Sequence, residues 1–435
     1  MPDVPASPTQ LAADAADPGA GPVTWSPWRV VVGFGVVSLA ADMVYEGARS
    51  VYGPLLGSLG ASALVVGAVT GAGEAAALIL RVVSGPLADR TRRYWTITIV
   101  GYALTAICVP LLAVTPFLGG AGLAVAAALI LAERIGKAVR SPAKSALLAE
   151  AAGQVGMGRG LGVHKALDQI GAFAGPLVVA GLIAVSADQI WPGMVALAIP
   201  GAVVMMLLVL TRRRMPAAEP RVVSEPADPS GRTRTRGHRR WTASVAMLWS
   251  DLPAPFLRFA IGTSLCTAGL VTFGLIGFSL VQREVVATAG VPLLYAAAMA
   301  AGALAALATG EIYDRFGARV LLLLPAMVAG VPALAFSASL IVVVTGVLLW
   351  GAAVGVQDST VKALVADLVP RDRRATAYGL FAGVQGAGAL IGGVAAGAIY
   401  EQSLSALVIV VGAVQLAALI VLVPIVRVSP VLPRS

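Results

Sequence analysis

Charged residues are scarce in this chain. They make up 12% of its 435 residues, against roughly 25% in soluble globular domains, whereas 58% of its residues are hydrophobic. The mean hydropathy of +0.87 excludes an ordinary soluble domain. The apolar runs are long and continuous, unlike the short alternating strands of a membrane barrel. The sequence therefore predicts an all-α integral membrane protein that crosses the bilayer many times.

Cysteine and histidine are almost absent, with two of each. Cys108 and Cys266 lie inside separate apolar runs and do not have the spacing of metal ligands. The sequence has no phosphate-binding loop after a strand, no HExxH motif and no nucleophile elbow. We therefore expect no metal, no cofactor and no enzymatic activity. The net charge of +9 resides in the loops between apolar runs, so we expect no nucleic-acid partner either.

The apolar runs fall into two sets of six, which predicts two six-helix halves at 28–211 and 254–427. The predicted spans are 29–55, 62–86, 94–115, 120–145, 160–184 and 191–211, then 254–281, 291–311, 319–338, 340–366, 376–399 and 404–427. Residues 212–253 read as a basic flexible linker, because Pro, Ser, Glu and Arg dominate them. Residues 1–27 contain no Lys or Arg and lack the basic start of a signal peptide, so they read as a disordered tail. Residues 428–435 form a second tail.

Basic residues in the loops set the orientation. They cluster in the linker and in the loops after spans two, eight and ten, all on one side of a twelve-span arrangement, whereas the opposite loops hold Arg283. Because cytoplasmic loops carry the excess of Lys and Arg, we expect the linker and both termini in the cytoplasm and the protein in the cell membrane.

The two halves repeat each other. The segment GPLADR at 85–90 matches GEIYDR at 310–315, and SALLAE at 145–150 parallels KALVAD at 362–367. Three glycines of span five also recur in span eleven at one constant interval: Gly162, Gly171 and Gly175 become Gly379, Gly388 and Gly392. Such duplication is typical of secondary transporters, whose substrate site lies between the halves.

From about residue 28 to 427 the chain resembles the major facilitator superfamily. The motif GPLADRTRR matches the loop signature of the superfamily, with Arg92 in place of its second glycine, and GEIYDRFGAR is its second-half copy. The resemblance implies twelve spans, alternating access and a cytoplasmic gate that latches the halves together. The matching residues are Gly85, Asp89, Arg90, Arg93, Gly310, Asp314, Arg315, Gly317 and Arg319.

Two weaker motifs concern coupling and direction. Arg134 in LILAERIGKAVRSP resembles the arginine of proton-coupled members, although Lys137 and Ala138 replace the usual Gln and Gly. In span five, GAFAGPLVVAG is similar to the signature of drug/proton antiporters, with Gly171, Gly175 and Pro176 matching and Val-Ala in place of a Gly pair. This resemblance implies export.

Ionisable residues inside spans are costly, at roughly 2.5–3.5 kcal/mol each, so they usually face a cavity or a partner. We expect them to line a central cavity and to couple transport to protons, with Asp42 and Glu133 as the first candidates. One alternative is that they neutralise one another within helices, as Glu46–Arg49, Glu133–Lys137 and Lys165–Asp168. The full set of candidates is Asp42, Glu46, Arg49, Glu74, Glu133, Arg134, Lys137, Arg140, His164, Asp168, Gln357, Asp358 and Gln385.

The sequence thus favours a monomeric, proton-coupled exporter of a small organic compound, a drug or a metabolite. The basic stripe on span four suggests an anion. An importer or uniporter of a nutrient or chelated metal is the alternative, and a membrane protein that transports nothing is a third hypothesis without a motif to support it.

Overall fold

A computed structural model describes residues 25–215, 253–369 and 374–428. Most of the predicted tails, residues 1–24 and 429–435, and most of the predicted linker lie outside these residues, as does the side chain of Asp314. The described chain is almost entirely helical, as the sequence predicts.

The first half comprises six spans. Span one consists of Pro27–Arg49 and Tyr52–Ser58, span two of Ala63–Thr91, span three of Tyr94–Leu111, span four of Gly122–Val155, span five of Met157–Val185, and span six of Trp191–Ala196 and Ala198–Arg214.

The second half repeats this plan. Span seven consists of Ala254–Gly269 and Phe273–Gln282, span eight of Gly290–Phe316, span nine of the short 3-10 helix Gly317–Leu322 and Leu323–Ala335, span ten of Leu340–Leu368, span eleven of Arg374–Gln402, and span twelve of Leu404–Val428.

Eleven of these described spans are long and apolar enough to cross a membrane. Span four is the exception, because Glu133, Arg134, Lys137 and Arg140 lie in its middle. It is nevertheless a continuous helix of 34 residues that packs against spans two and three, so it completes the predicted twelve-span bundle. A helix so charged can only cross a bilayer with its polar face inside the protein.

The duplication seen in the sequence is also present in three dimensions. A Cβ atom added at Gly171 of span five would overlap the backbone of Leu39 in span one, and one added at Gly388 of span eleven would overlap Ser264 in span seven. Leu39 and Ser264 are separated by the interval that also separates Met43 and Ala268, the neighbours of the next glycine pair. The glycines therefore allow the same close helix packing in both halves.

The halves meet along span two against span eleven and span five against span eight. The backbones of Gly67 and Gly393 approach so closely that a Cβ on either would overlap the other chain. We call the end of the bundle that holds Trp25 and Arg214, whose backbones are hydrogen-bonded at 2.9 Å, the terminal end, and the opposite end the distal end.

Two polar contacts between the halves lie at the distal end. The Glu401 carboxylate accepts a hydrogen bond from the Leu64 amide at 2.8 Å, and Asp188 accepts one from the Ala289 amide at 3.4 Å. The structure is therefore closed at the distal end.

The turn after span two is made without a glycine. Arg92 stands at the position that Gly317 occupies in the second copy of the motif, and both residues have positive φ angles, 53° for Arg92 and 62° for Gly317. The two turns are not the same, because ψ is 14° at Arg92, in the left-handed helical region, and -148° at Gly317, in a region that glycine favours. Arg92 carries the conformational cost of a left-handed non-glycine residue.

Candidate functional site

A cleft between the halves is lined by charged side chains at mid-membrane depth. The side chains of Glu74, Lys137 and Arg49 are 30%, 24% and 21% exposed, although each contacts other charged groups inside the bundle. Lys165, nearer the terminal end, is 67% exposed. The cleft therefore opens toward the terminal end and closes toward the distal end.

Two arginines hold Glu74 of span two. Arg49 of span one donates a hydrogen bond to its Oε1 atom at 2.6 Å, and Arg134 of span four lies 3.5 Å from the same oxygen. Two guanidinium groups on one carboxylate oxygen make a strong charge-assisted contact. These three residues also line a small cavity at the closed end of the cleft, beside Tyr52 and Phe273.

Tyr45 of span one lies among the cations. Arg134 donates a hydrogen bond to its hydroxyl group, and the guanidinium carbon lies 4.6 Å from the ring centroid. The Lys137 ammonium lies 3.1 Å from the same centroid. The aromatic face thereby stabilises two positive charges that have left water.

Glu46 connects the charge network to the second half. Its carboxylate lies 3.6 Å from Arg49 and 3.9 Å from Lys137, both in the first half. It also accepts a hydrogen bond of 2.5 Å from the hydroxyl of Tyr295 in span eight. Because Glu46 is 8% exposed, this contact between the halves is shielded from water.

Glu133 and Arg140, both buried on span four, are joined through Thr105 of span three. The Thr105 hydroxyl donates to Glu133 at 3.4 Å and accepts from Arg140 at 2.5 Å. Glu133 also lies 3.6 Å from the Nε atom of Arg134. Thr105 thus relays between a buried anion and a buried cation that are not in direct contact.

Asp42 of span one and Asp168 of span five form a carboxyl pair. Their side chains interact electrostatically with each other, and Lys165 donates a hydrogen bond of 2.6 Å to Asp168. Two neighbouring carboxylates repel each other, so one bound proton is favoured at such a pair. This pair is therefore a place where the protein can hold one proton.

The second half has a neutral cluster at the corresponding place. Thr267 accepts hydrogen bonds from Gln357 at 2.8 Å and from Gln385 at 3.5 Å. The interval between Gly85 and Gly310 also separates Asp42 from Thr267, so these two residues correspond. The interval between Gly171 and Gly388 likewise makes Gln385 the counterpart of Asp168. The contact between the two helices is thus made by neutral side chains in one half and by acids in the other.

The remaining cavity candidates lie nearer the terminal end. His164 is 8% exposed, and its Nδ1 atom has no hydrogen-bond partner among the described residues. Asp358 of span ten is exposed and acts electrostatically on Lys165, so it lies close to the carboxyl pair from the other half.

Two of the three predicted intrahelical pairs form. Glu46 lies 3.6 Å from Arg49, and Lys165 lies 2.6 Å from Asp168. For Lys137 the ion pair in the described residues is with Glu46 of another span, not with Glu133. The charges are therefore held mostly between helices, which sequence spacing along one helix does not reveal.

The predicted gate residues lie at the terminal end. Asp89 accepts a hydrogen bond of 2.9 Å from Tyr94 of its own half, and Arg315 pairs with exposed Glu311 at 2.6 Å. The latch between the halves stays a prediction, together with the roles of Gly85, Arg90, Arg93, Gly310, Gly317 and Arg319.

Sequence reasoning missed three side chains of the site: Tyr45, Thr105 and Thr267. Tyr45 lies one turn after Asp42 on the same face of span one, which could have suggested it. Thr105 lies in an apolar run and has no local signal, because its role depends on which helix packs beside it. Thr267 also lies in an apolar run, but the interval between the two loop motifs could have identified it as the counterpart of Asp42.

A family model described as the Major Facilitator Superfamily matches residues 34–285 and 278–435. A protein of Mycobacterium tuberculosis, described as uncharacterised, is 49% identical over 412 residues, which cover 93% of this chain and 95% of that protein. An uncharacterised MFS-type transporter of Methanocaldococcus jannaschii is 29% identical over 141 residues, covering 32% and 34% of the two chains.

Solved transporters share the fold. A variant of the nucleoside transporter NupG matches with a TM-score of 0.72 and 14% identity over 91% of this chain and 99% of its own. The peptide transporter POT in complex with sulfate matches with a TM-score of 0.67 and 16% identity over 98% of both chains. At such identities the likeness concerns the fold and not the substrate.

Proposed function

Because the chain belongs to the major facilitator superfamily, we propose that it is a proton-coupled secondary transporter, which carries a small organic compound across the membrane by alternating access. The compound binds in the cleft between the halves. The terminal end faces the cytoplasm, as the basic residues Arg212, Arg213 and Arg214 at the end of span six support. A monomer in the cell membrane remains our expectation.

The carboxyl pair of Asp42 and Asp168 carries the proposal of proton coupling. The pair lies at the contact of spans one and five, in a cleft that is accessible from the terminal end. Thr267 and Gln385 make the equivalent contact in the second half without any charge. Packing alone therefore does not require acids at Asp42 and Asp168, whereas binding and release of a proton does.

The direction of transport is supported by fewer observations than proton coupling is. Export is indicated by the span-five resemblance, but Gly171 and Gly175 pack against span one as Gly388 and Gly392 pack against span seven. Since the glycines serve packing in both halves, Pro176 is left as the distinctive part of that signature. Export stays a prediction. Import is the second candidate. The positive charge of the cleft favours it, because an anion that binds there together with a proton would be taken up along an inward proton gradient.

Flux into liposomes tests the proposal. We would reconstitute the purified chain with a trapped pH dye and add a panel of organic acids, nucleosides, dipeptides and lipophilic cations. At least one compound is expected to move protons with it, and Asp42→Asn should abolish the proton movement. Glu311→Gln makes the same chemical change at a site that is 70% exposed and should leave the movement intact.

Two results would refute proton coupling. One is substrate flux that is equal with and without an imposed pH gradient. The other is proton movement that survives Asp42→Asn in a folded protein. Comparison of right-side-out and everted vesicles then assigns the direction.

A further inference from the structure

Lys137 differs from the other cations of the central network in its hydrogen bonding. Arg49, Arg134 and Arg140 each donate a hydrogen bond to a carboxylate, hydroxyl or carbonyl oxygen. Among the described residues, no acceptor lies within hydrogen-bonding distance of the Lys137 ammonium, and its nearest ion-pair partner is Glu46 at 3.9 Å. An ammonium group has three donors, so this one has unused capacity.

The position of Lys137 makes that capacity available to a ligand. Its side chain is 24% exposed to the cleft at mid-membrane depth, and the face of Tyr45 supports the ammonium at 3.1 Å from the ring centroid. The ring stabilises the charge without using a donor. The Nε atom of Arg81, on span two, is also buried without a hydrogen-bond partner among the described residues, so a second cation of the cleft is incompletely satisfied.

The charges of the central network do not balance. The cations are Arg49, Arg134, Lys137 and Arg140, and the carboxylates are Glu46, Glu74 and Glu133. These four cations exceed the three carboxylates by one positive charge, and Arg81, which acts on Glu74 from the same span, adds to that excess. When the pair of Asp42 and Asp168 holds a proton, its single negative charge is matched by Lys165 at 2.6 Å, with Lys144 of span four as a second cation acting on Asp168, and does not remove the excess.

Loss of the proton held by Asp42 and Asp168 changes the charge balance of the central network. Asp42 then becomes a carboxylate within electrostatic reach of Lys137 and offsets one positive charge there. The other titratable groups that act on Lys137 or pack against it are Tyr45 and Glu46 of span one, Glu74 of span two and Glu133 of span four itself. Each of these carboxylates already has an arginine or a tyrosine as a closer partner.

We propose that Lys137 binds the negatively charged group of the transported compound, so that the substrate is an organic anion, and that the anion binds together with the proton at Asp42 and Asp168. The deprotonated Asp42 and the anion are alternative counter-charges for one ammonium group. Proton and anion therefore enter and leave the cleft together, which is symport. This inference rests on the proposed function, and with an inward proton gradient it gives uptake.

Binding to the purified full-length chain tests the inference without any flux. Benzenesulfonate serves as the anionic probe, because it stays ionised throughout the range from pH 6 to pH 8. Benzyl alcohol and benzylammonium are its neutral and cationic counterparts. Calorimetry in two buffers of different ionisation enthalpy gives both the affinity and the number of protons taken up.

We expect benzenesulfonate alone to bind, more tightly at pH 6 than at pH 8, with uptake of protons at pH 8. Lys137→Gln should weaken binding at least about thirtyfold, the loss expected when one partner of a shielded charge pair is removed. Glutamine is the usual residue there in the family that the chain resembles, so this variant is expected to fold. Lys137→Arg keeps the charge and should restore part of the affinity.

Two further variants complete the design. Lys144→Gln makes the same change two turns along span four, where the ammonium already donates to Ser38 at 2.9 Å, and should leave the affinity unchanged. Asp42→Asn imitates the protonated pair, so binding should persist while the proton uptake disappears.

The inference is overturned if benzenesulfonate fails to bind, if either counterpart binds as tightly, or if Lys137→Gln and Lys144→Gln bind alike. Release of protons on binding would overturn the symport half. A chain that binds the anion at Lys137 but moves no protons in liposomes would instead refute the proposed function.

Discussion

The hydrogen bond between Tyr295 and Glu46 is expected to hold the distal end closed. It joins span eight to span one across the halves, at 2.5 Å, with the tyrosine fully buried and Glu46 8% exposed. When the halves rock apart at the distal end, this bond must break. Tyr295→Phe removes the hydroxyl and leaves the ring contacts with Phe273 and Trp350, at 4.6 and 6.2 Å between centroids.

A hydrogen bond to a charged group contributes about 1.5–3 kcal/mol. Glu46 keeps Arg49 and Lys137 as partners in the first half, so we take the lower end of that range. At 1.4 kcal/mol for each factor of ten, the ratio of distal-closed to distal-open protein should fall about tenfold. The apparent affinity of a ligand for the distal-closed state scales with the fraction of protein in that state, so it weakens by less than tenfold where the closed state predominates at the start.

Spin labels across the distal end measure this ratio. Cysteines at exposed positions Gly120 and Ala338, in a background without Cys108 and Cys266, report the separation of the halves by pulsed electron resonance. Tyr295→Phe should add a population at longer distance.

Tyr400→Phe is the matched control. The Tyr400 hydroxyl donates to Ser279 at 2.7 Å, and both residues lie in the second half, so no bond between the halves is lost. Equal distance distributions in the two variants would refute the assignment of Tyr295 to the distal closure.

Three further outcomes follow from the geometry. Arg92→Gly should stabilise the protein by about 1 kcal/mol, because the left-handed turn no longer carries a Cβ, whereas Gly317→Ala should destabilise it; thermal unfolding in detergent checks both. Gly393→Leu should force spans two and eleven apart, since a Cβ at that position would overlap the backbones of Gly67 and Gly71, and increase the distal-open population in the spin-label assay. Asp42→Thr combined with Asp168→Gln gives the first half the residues of the second; it should preserve folding and abolish proton movement in liposomes.

Much of the fold can be predicted from the sequence because the bilayer imposes it. The length of each apolar run locates a span, the positive charges of the loops orient the spans in the membrane, and the two repeated motifs reveal the duplication. The breaks within spans cannot be placed in this way. Span one is interrupted at Ser50 and Val51, and its outer piece packs against the outer piece of span seven, a contact between distant parts of the chain.

The candidate site can be predicted only as a list of residues. Intramembrane charge identified Asp42, Glu46, Glu74 and Glu133, and repeat alignment gave Gln385 as the counterpart of Asp168. The partners of these residues depend on how each helix is rotated about its axis relative to its neighbours. The spacing of residues along a single helix does not determine that rotation. Thr267 is different, because the interval between Gly85 and Gly310 of the two loop motifs also separates Asp42 from Thr267, so the repeat could have identified it.

The asymmetry between the halves has a consequence for the transport cycle. The ion pairs of the described network lie within the first half, and its hydrogen bond to the second half is the one from Tyr295 to Glu46. Rocking of the halves therefore carries the buried charges as one body. Separating them in each cycle would leave ions unpaired in a low dielectric, at several kcal/mol per ion. Placing the charge in one half confines the electrostatic change within this network to the proton, the ligand and the hydrogen bond from Tyr295 to Glu46.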